Sequence, residues 1–386
     1  MADADTPPPP YPLYNRTYQL FRLSPLYHGD GPLLDERVLR SHAKRLREQL
    51  KGDSVRGVEV DYAGTEGALP GLGPLEECDW DVLGDENAWI SRYVHVDSSQ
   101  LSSAADAPAR GIVVNLEYER QSYNAVLYRD PENTSSPDGF TALPLLLVKM
   151  PAPVRDVFLN YLRIAFDAHV APLKLPSTYL TSVLEKYFDR LSAATSSQSI
   201  QHVIRQLHLQ LSFPQISTVL KHVDISISSS DIARFVSSGK LRNPKESPFT
   251  VALTSYLKKH LALDLTHPKV HVSRVSCYSF TLGSDRFKLV APDRESTSTL
   301  SASELAAQDF VTSLVREATG TGKFLPDDFS GGLRSSTPSS TTSARDGRRK
   351  RAVSTTATGN ANAKRSKPRG KENGKRPNGD EEMVDV

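Results

Sequence analysis

The chain has 386 residues, enough for one large domain or two small ones plus flexible segments. Its formal net charge of +2 hides an asymmetry: Arg334 to Val386 holds 13 Lys/Arg against 6 Asp/Glu, and the rest of the chain holds 34 against 39. The larger part is therefore mildly acidic and not built as a whole to grip nucleic acid; two cysteines cannot make a disulfide framework, and no apolar run reaches the ~18–20 residues of a membrane span.

Residues 1–14 are acidic and then proline-rich, which predicts an extended, solvated tail without the features of a signal peptide. Tyr18 to Leu23 alternates and reads as a strand, stopped by Ser24-Pro25. Pro32 to Leu50 carries Leu34, Val38, His42, Leu46 and Leu50 at four-residue spacing, the pattern of an amphipathic helix. Val55 to Tyr62 returns to period two. Residues 63–88 are rich in Gly and acids and read as an irregular insertion; Trp89 to Val96 reads as a strand, and 97–110 as a small-residue loop.

Short strands are expected at Gly111 to Tyr118, Ser122 to Tyr128 and Leu143 to Val148, with a surface loop over 129–139. Val154 to Val170 and Ser177 to Ala194 place apolar residues three and four apart and predict two helices. Val203 to Phe213 and Val219 to Ile227 alternate as strands. Asp231 to Ser238 and Pro248 to Leu263 read as helices. Lys269 to Leu282 and Arg286 to Val290 form a hairpin around Gly283-Ser284-Asp285. Ser301 and Glu304 match a capping box ahead of Leu305, Phe310, Val311, Leu314 and Val315, so an amphipathic helix is expected over 296–320, docking on the module or on a partner. Beyond it, 321–386 is too poor in core-forming residues to offset its ordering entropy and reads as a disordered basic tail.

Strands and helices thus come in blocks, without βαβα repetition. The expected fold is α+β with a large, mainly antiparallel sheet.

The sharpest motif is a pair of basic clusters in the tail. Arg348, Arg349, Lys350 and Arg351 precede Lys364, Arg365, Lys367, Arg369 and Lys371 by a twelve-residue spacer, the form of a bipartite nuclear import signal. No aromatic residue interrupts the clusters, so base stacking by the tail is not expected.

Catalytic residues, cofactors and metal sites are not expected. His202, His208, His267 and His271 lack Cys or carboxylate company, there is no G-x-S-x-G or Walker loop, and Gly64 to Gly73 lacks the strand-then-helix setting of a phosphate site. Glu76, Glu77, Asp79, Asp81, Asp85 and Glu86 miss the calcium-loop spacing and read as a solvated acidic insertion.

Three stretches, in order, resemble the centromere protein L family in a fungal form: YQLFRLSPLY at 18–27, the LPLLL strand and AFDAHV helix ending in APL within 141–173, and HVSRVSCYSFTLGSDRFKL at 271–289. The insertions at 63–88 and 97–110 and the basic tail depart from the common pattern. The resemblance implies a non-enzymatic subunit of the inner kinetochore, within the constitutive centromere-associated network, whose module over 15–295 is built on a large curved sheet (an open or incomplete barrel) with flanking helices. It implies pairing with centromere protein N, partly through strand-edge contacts, and a role in holding the kinetochore on centromeric nucleosomes for chromosome segregation. The hairpin at 269–290 is the candidate edge, with Val270, Val272 and Val275 as its partner-facing residues. The partners implied are a centromere protein N-like subunit and other inner-kinetochore proteins, with centromeric chromatin contacted indirectly or weakly. Neither a membrane nor a small-molecule substrate is expected. The competing reading is a sequence-independent nucleic-acid-binding nuclear protein acting through its basic tail.

Overall fold

The computed structural model describes residues 10–51, 73–93, 109–130, 136–194, 204–214, 220–242, 247–291 and 302–320. Val55 to Tyr62, most of the 97–110 loop and the 321–386 tail lie outside them.

Thirteen strands and seven helices are described. In chain order they are β1 (Thr17–Leu23), β2 (Leu26–Tyr27), α1 (Glu36–Lys51), β3 (Leu75–Leu83), α2 (Glu86–Tyr93), β4 (Gly111–Tyr118), β5 (Ser122–Tyr128), β6 (Phe140–Thr141), β7 (Leu145–Lys149), α3 (Ala152–Phe166), β8 (Val170–Pro172), α4 (Ser177–Ala194), β9 (Gln206–Ser212), β10 (His222–Ser228), α5 (Ser229–Arg242), α6 (Pro248–Leu261), β11 (His271–Ser276), β12 (Phe280–Gly283), β13 (Arg286–Leu289) and α7 (Ala302–Thr319). Eleven strands form one antiparallel sheet in the order β10-β9-β11-β12-β13-β1-β7-β5-β4-β3, with β8 paired to β1 beyond β13. The sheet is not closed into a barrel. β2 and β6 make a separate two-stranded sheet.

The fold is the α+β class expected, and its two cores explain the sequence pattern. Successive side chains on a strand point to opposite faces. On β7, Leu145 and Leu147 enter one core while Leu146 and Val148 enter the other. The strand is apolar throughout because both of its faces are covered. The first core joins that side of the sheet to α4, α6 and α7 through Phe188, Phe249 and Phe310. The second joins the opposite side to α1 and α3 through Leu39, Leu46, Phe158, Leu162 and Phe166. Strands β9 to β13 differ. Their alternate residues Leu207, Leu209, Leu211, Val275, Leu282 and Phe287 fill the first core, and the residues between them are polar. Helices α1 and α3 therefore cover only the β3 half of their face of the sheet.

Several boundaries differ from the sequence reading. The N-terminal tail ends earlier than residue 14: Tyr11, Leu13 and Tyr14 are buried, and the Asn15 N–H donates to the Leu289 carbonyl at 2.7 Å. The acidic stretch is not wholly irregular. Residues 75–83 form β3, because Leu75, Cys78, Trp80 and Leu83 are buried between the acids. Trp89 opens no strand; it lies in α2, whose start is held by the Asp85 carboxylate accepting the Ala88 N–H at 2.7 Å. Helix α3 stops at Phe166, where Asp167 adopts a left-handed conformation (φ 47°), and Val170 to Pro172 turn away to pair with β1. The capping-box helix packs on the module: Phe310 contacts Phe280 and Phe287, with ring centroids 4.8 and 5.4 Å apart.

One buried carboxylate ties the last third of the fold together. Helix α6 begins Ser247-Pro248, and the Ser247 side chain makes no capping bond. Glu185 of α4, 5% exposed, supplies the missing cap by accepting the N–H groups of Phe249 at 3.3 Å and Thr250 at 2.5 Å. Its burial raises its pKa, and those hydrogen bonds oppose the rise. Glu185→Ala leaves the α6 start uncapped and should cost about 2 kcal/mol in thermal unfolding. Unchanged stability would remove Glu185 from this role.

Candidate partner interface

A sheet that does not close offers two edges. One is β3 and the other is β10. β3 is the poorer template for another strand. Glu76, Glu77, Asp79 and Asp81 line it, and Arg47 of α1 donates to the Glu76 carbonyl. Burial, then the neighbouring charges of Glu77, Asp81 and Glu117, raise the Asp79 pKa. Charge of one sign and a covering side chain are how edges are commonly blunted.

The β10 edge lacks these devices. Its seven residues contain neither Lys nor Pro, and no strand among the described residues pairs its outer side. Its inner side pairs with β9 over the full length, from His222 opposite Ser212 to Ser228 opposite Gln206. Val223 and Ile225 pack against the first core yet remain half-exposed, as expected where an apolar layer ends abruptly. Leu220, just before the strand, is 51% exposed, and Leu241 near the end of α5 is 89% exposed. α5 follows β10 directly and packs on it. A backbone edge unpaired among the described residues therefore carries the half-exposed Val223 and Ile225 and follows the exposed Leu220, the combination that strand addition uses.

The expected partner strand is not at an edge. β11 pairs with β12 on one side and β9 on the other, so both of its backbone edges are occupied within the chain. Val270, Val272 and Val275 point into the first core at 9%, 4% and 1% exposure. The hairpin around Gly283-Ser284-Asp285 forms between β12 and β13 and is likewise interior. Alternating valines look the same on a central strand as on an edge, which is why the sequence misplaced the edge. The basic residues Arg348, Arg349, Lys350, Arg351, Lys364, Arg365, Lys367, Arg369 and Lys371 lie outside the described residues.

No grouping of His, Cys, Asp and Glu that could hold a metal ion occurs among the described residues. No helix among them is long and apolar enough to cross a membrane. Cys78 and Cys277 are free thiols.

No curated protein matches the chain. The family model for centromere protein L matches residues 12–319, from the buried N-terminal segment to the end of α7. That span takes in the whole sheet and, but for Tyr11, both cores. The chain therefore belongs to the centromere protein L family, structural components of the kinetochore, which places it at centromeres in the nucleus.

Proposed function

We propose that this chain is a non-enzymatic scaffold subunit of the inner kinetochore that pairs with a centromere protein N-like subunit through the β10 edge. The pair then helps to link centromeric nucleosomes to the kinetochore during chromosome segregation. The observation that carries this reading is β10 itself, an edge strand unpaired among the described residues, with the exposed Leu220 just before it. A partner strand there satisfies backbone N–H and C=O groups and covers Val223 and Ile225 at once. The basic clusters at 348–351 and 364–371 act as the import signal, with at most weak, salt-sensitive contact to DNA phosphates.

Neighbouring residues of an edge strand direct their N–H groups alternately inward and outward. Of the variants Ile225→Pro and Ser226→Pro, one removes an inward N–H and lowers the melting temperature. The other removes an outward N–H, keeps the melting temperature and abolishes co-purification with the centromere protein N-like subunit. Undiminished co-purification by both would contradict docking at this edge.

A further inference from the structure

The part of the sheet that no described helix covers carries a compact cation cluster beside a cleft. In register across three strands, Arg274 of β11 lies opposite Gly283 of β12, and Gly283 lies in the pair beside Arg286 of β13. Paired residues share a face. Arg286 is also opposite Gln19 of β1, whose Oε1 accepts from Arg155 of α3 at 3.0 Å. That hydrogen bond fixes the face as the one bearing α3. Lys288, two residues along β13, stands on the same face, opposite Thr281 and Thr17.

With strands about 4.8 Å apart, the two arginines stand roughly 10 Å apart across the buried Gly283. Neither arginine nor Lys288 has an ion-pair partner among the described residues. The one acid farther along the row, Asp224, already accepts from Gln210 at 3.0 Å.

Directly beside this cluster, α3, β1 and β8 enclose a cleft of about 350 Å³. Phe21, Leu159, Val170 and Pro172 line it, together with Asp156 and Asp285. Arg155 is held by Gln19 and Asp156, and Arg163 reaches the Val170 carbonyl at 3.4 Å. Both arginines of the cleft are thus held, and of its apolar lining Phe21, Leu159 and Val170 lie deep while Pro172 is exposed.

We propose that this surface binds a phosphorylated linear segment of a protein partner. The phosphate sits between Arg274, Arg286 and Lys288, and an apolar side chain of the same segment enters the cleft. Arginine forks suit a phosphate dianion. A nucleic-acid backbone fits less well. It has no apolar side chain for the cleft, it meets Asp156 and Asp285 in the lining, and the chain before the basic tail is net acidic. The site stands apart from the β10 edge, so its failure leaves the proposed function untouched.

The test is binding of the full chain to a degenerate peptide library with phosphoserine fixed at its centre, against the same library with serine, by fluorescence anisotropy at physiological salt. The wild type should prefer the phosphorylated library by at least about tenfold, the effect of one or two charge-assisted hydrogen bonds. The double variant Arg274→Glu/Arg286→Glu should lose that preference with an unchanged melting temperature, and Lys288→Gln should reduce it if the double variant misfolds. Peptides selected by the wild type should carry an apolar residue roughly two to four positions from the phosphoserine, the reach of an extended chain from Arg286 to Phe21. No phosphate preference, a preference that survives the arginine changes, or selection without the apolar residue overturns the proposal. So does a short DNA duplex that binds more tightly than the peptides and is lost with the same arginines.

Discussion

Replacing Phe310 by Ala should destabilise the protein by about 3–5 kcal/mol, the range for truncating a buried aromatic residue. Phe310 is 3% exposed and packs against the rings of Phe280 and Phe287, on β12 and β13. It is the main anchor of α7, which Leu314 and Ala318 seal without residual exposure. Polar links at the surface add less. Tyr179 donates to the Ser313 hydroxyl at 3.2 Å, and Arg190 pairs with Asp309 at 3.0 Å where both are substantially exposed. Phe310→Leu refills most of the volume and should cost no more than about 1.5 kcal/mol. Denaturant unfolding measures both variants, and equal small losses would mean that α7 is not held by this aromatic cluster.

Acidification should destabilise the protein through His42, by roughly 3 kcal/mol on the neutral side chain's account alone. His42 lies between α1, β3 and α3, stacked on Trp80 at 5.8 Å and tilted against Phe166 at 4.5 Å between ring centroids. Its Nδ1 is 2.7 Å from the Tyr161 hydroxyl. Burial, and then the nearby charge of Arg45, lowers its pKa to about 4 from an ordinary 6.5. The unfolded chain therefore takes up the proton first. Stability is complete above about pH 6.5, falls as the pH drops toward 4, and levels off below it. Carboxylates titrate in the lower part of that window, so the reading is the difference between wild type and His42→Gln, which retains a polar side chain near Tyr161 but does not titrate. The variant should be less stable at neutral pH and show a flatter decline between pH 6.5 and 4. Parallel pH profiles would show that His42 is not kept neutral by the fold.

The sequence was most legible where packing repeats at a short period. Helix α4 falls on the expected 177–194 because Leu180, Val183, Leu184, Tyr187, Phe188 and Leu191 all face one core. Strand β9 likewise follows from its alternation. Legibility failed where a distant element supplies the reason for local structure. β3 looks like a loop because its acids are conspicuous, and its buried positions matter only once α1 covers them. The cap of α6 comes from Glu185, more than sixty residues away, and no local pattern announces it.

The functional surface was the least legible part. Edge or centre is a property of strand order, and strand order depends on pairings such as Tyr18 with Phe287 and Leu20 with Leu147, which join distant parts of the chain. The family could be recognised from the ordered motifs at 18–27, 141–173 and 271–289, because those motifs form β1, β7, α3 and the β11–β13 layer at the middle of the sheet. The same central position disqualifies Val272 and Val275 as partner contacts.

Hydrogen–deuterium exchange of the full chain, alone and mixed with the centromere protein N-like subunit, tests the account most directly. The β10 amides at 222–228 that face outward should exchange quickly in the free protein and become protected in the complex, while β11 is protected in both. Unchanged exchange across 222–228 in a formed complex, with new protection on β3 or elsewhere, would contradict the assignment of β10 as the docking edge.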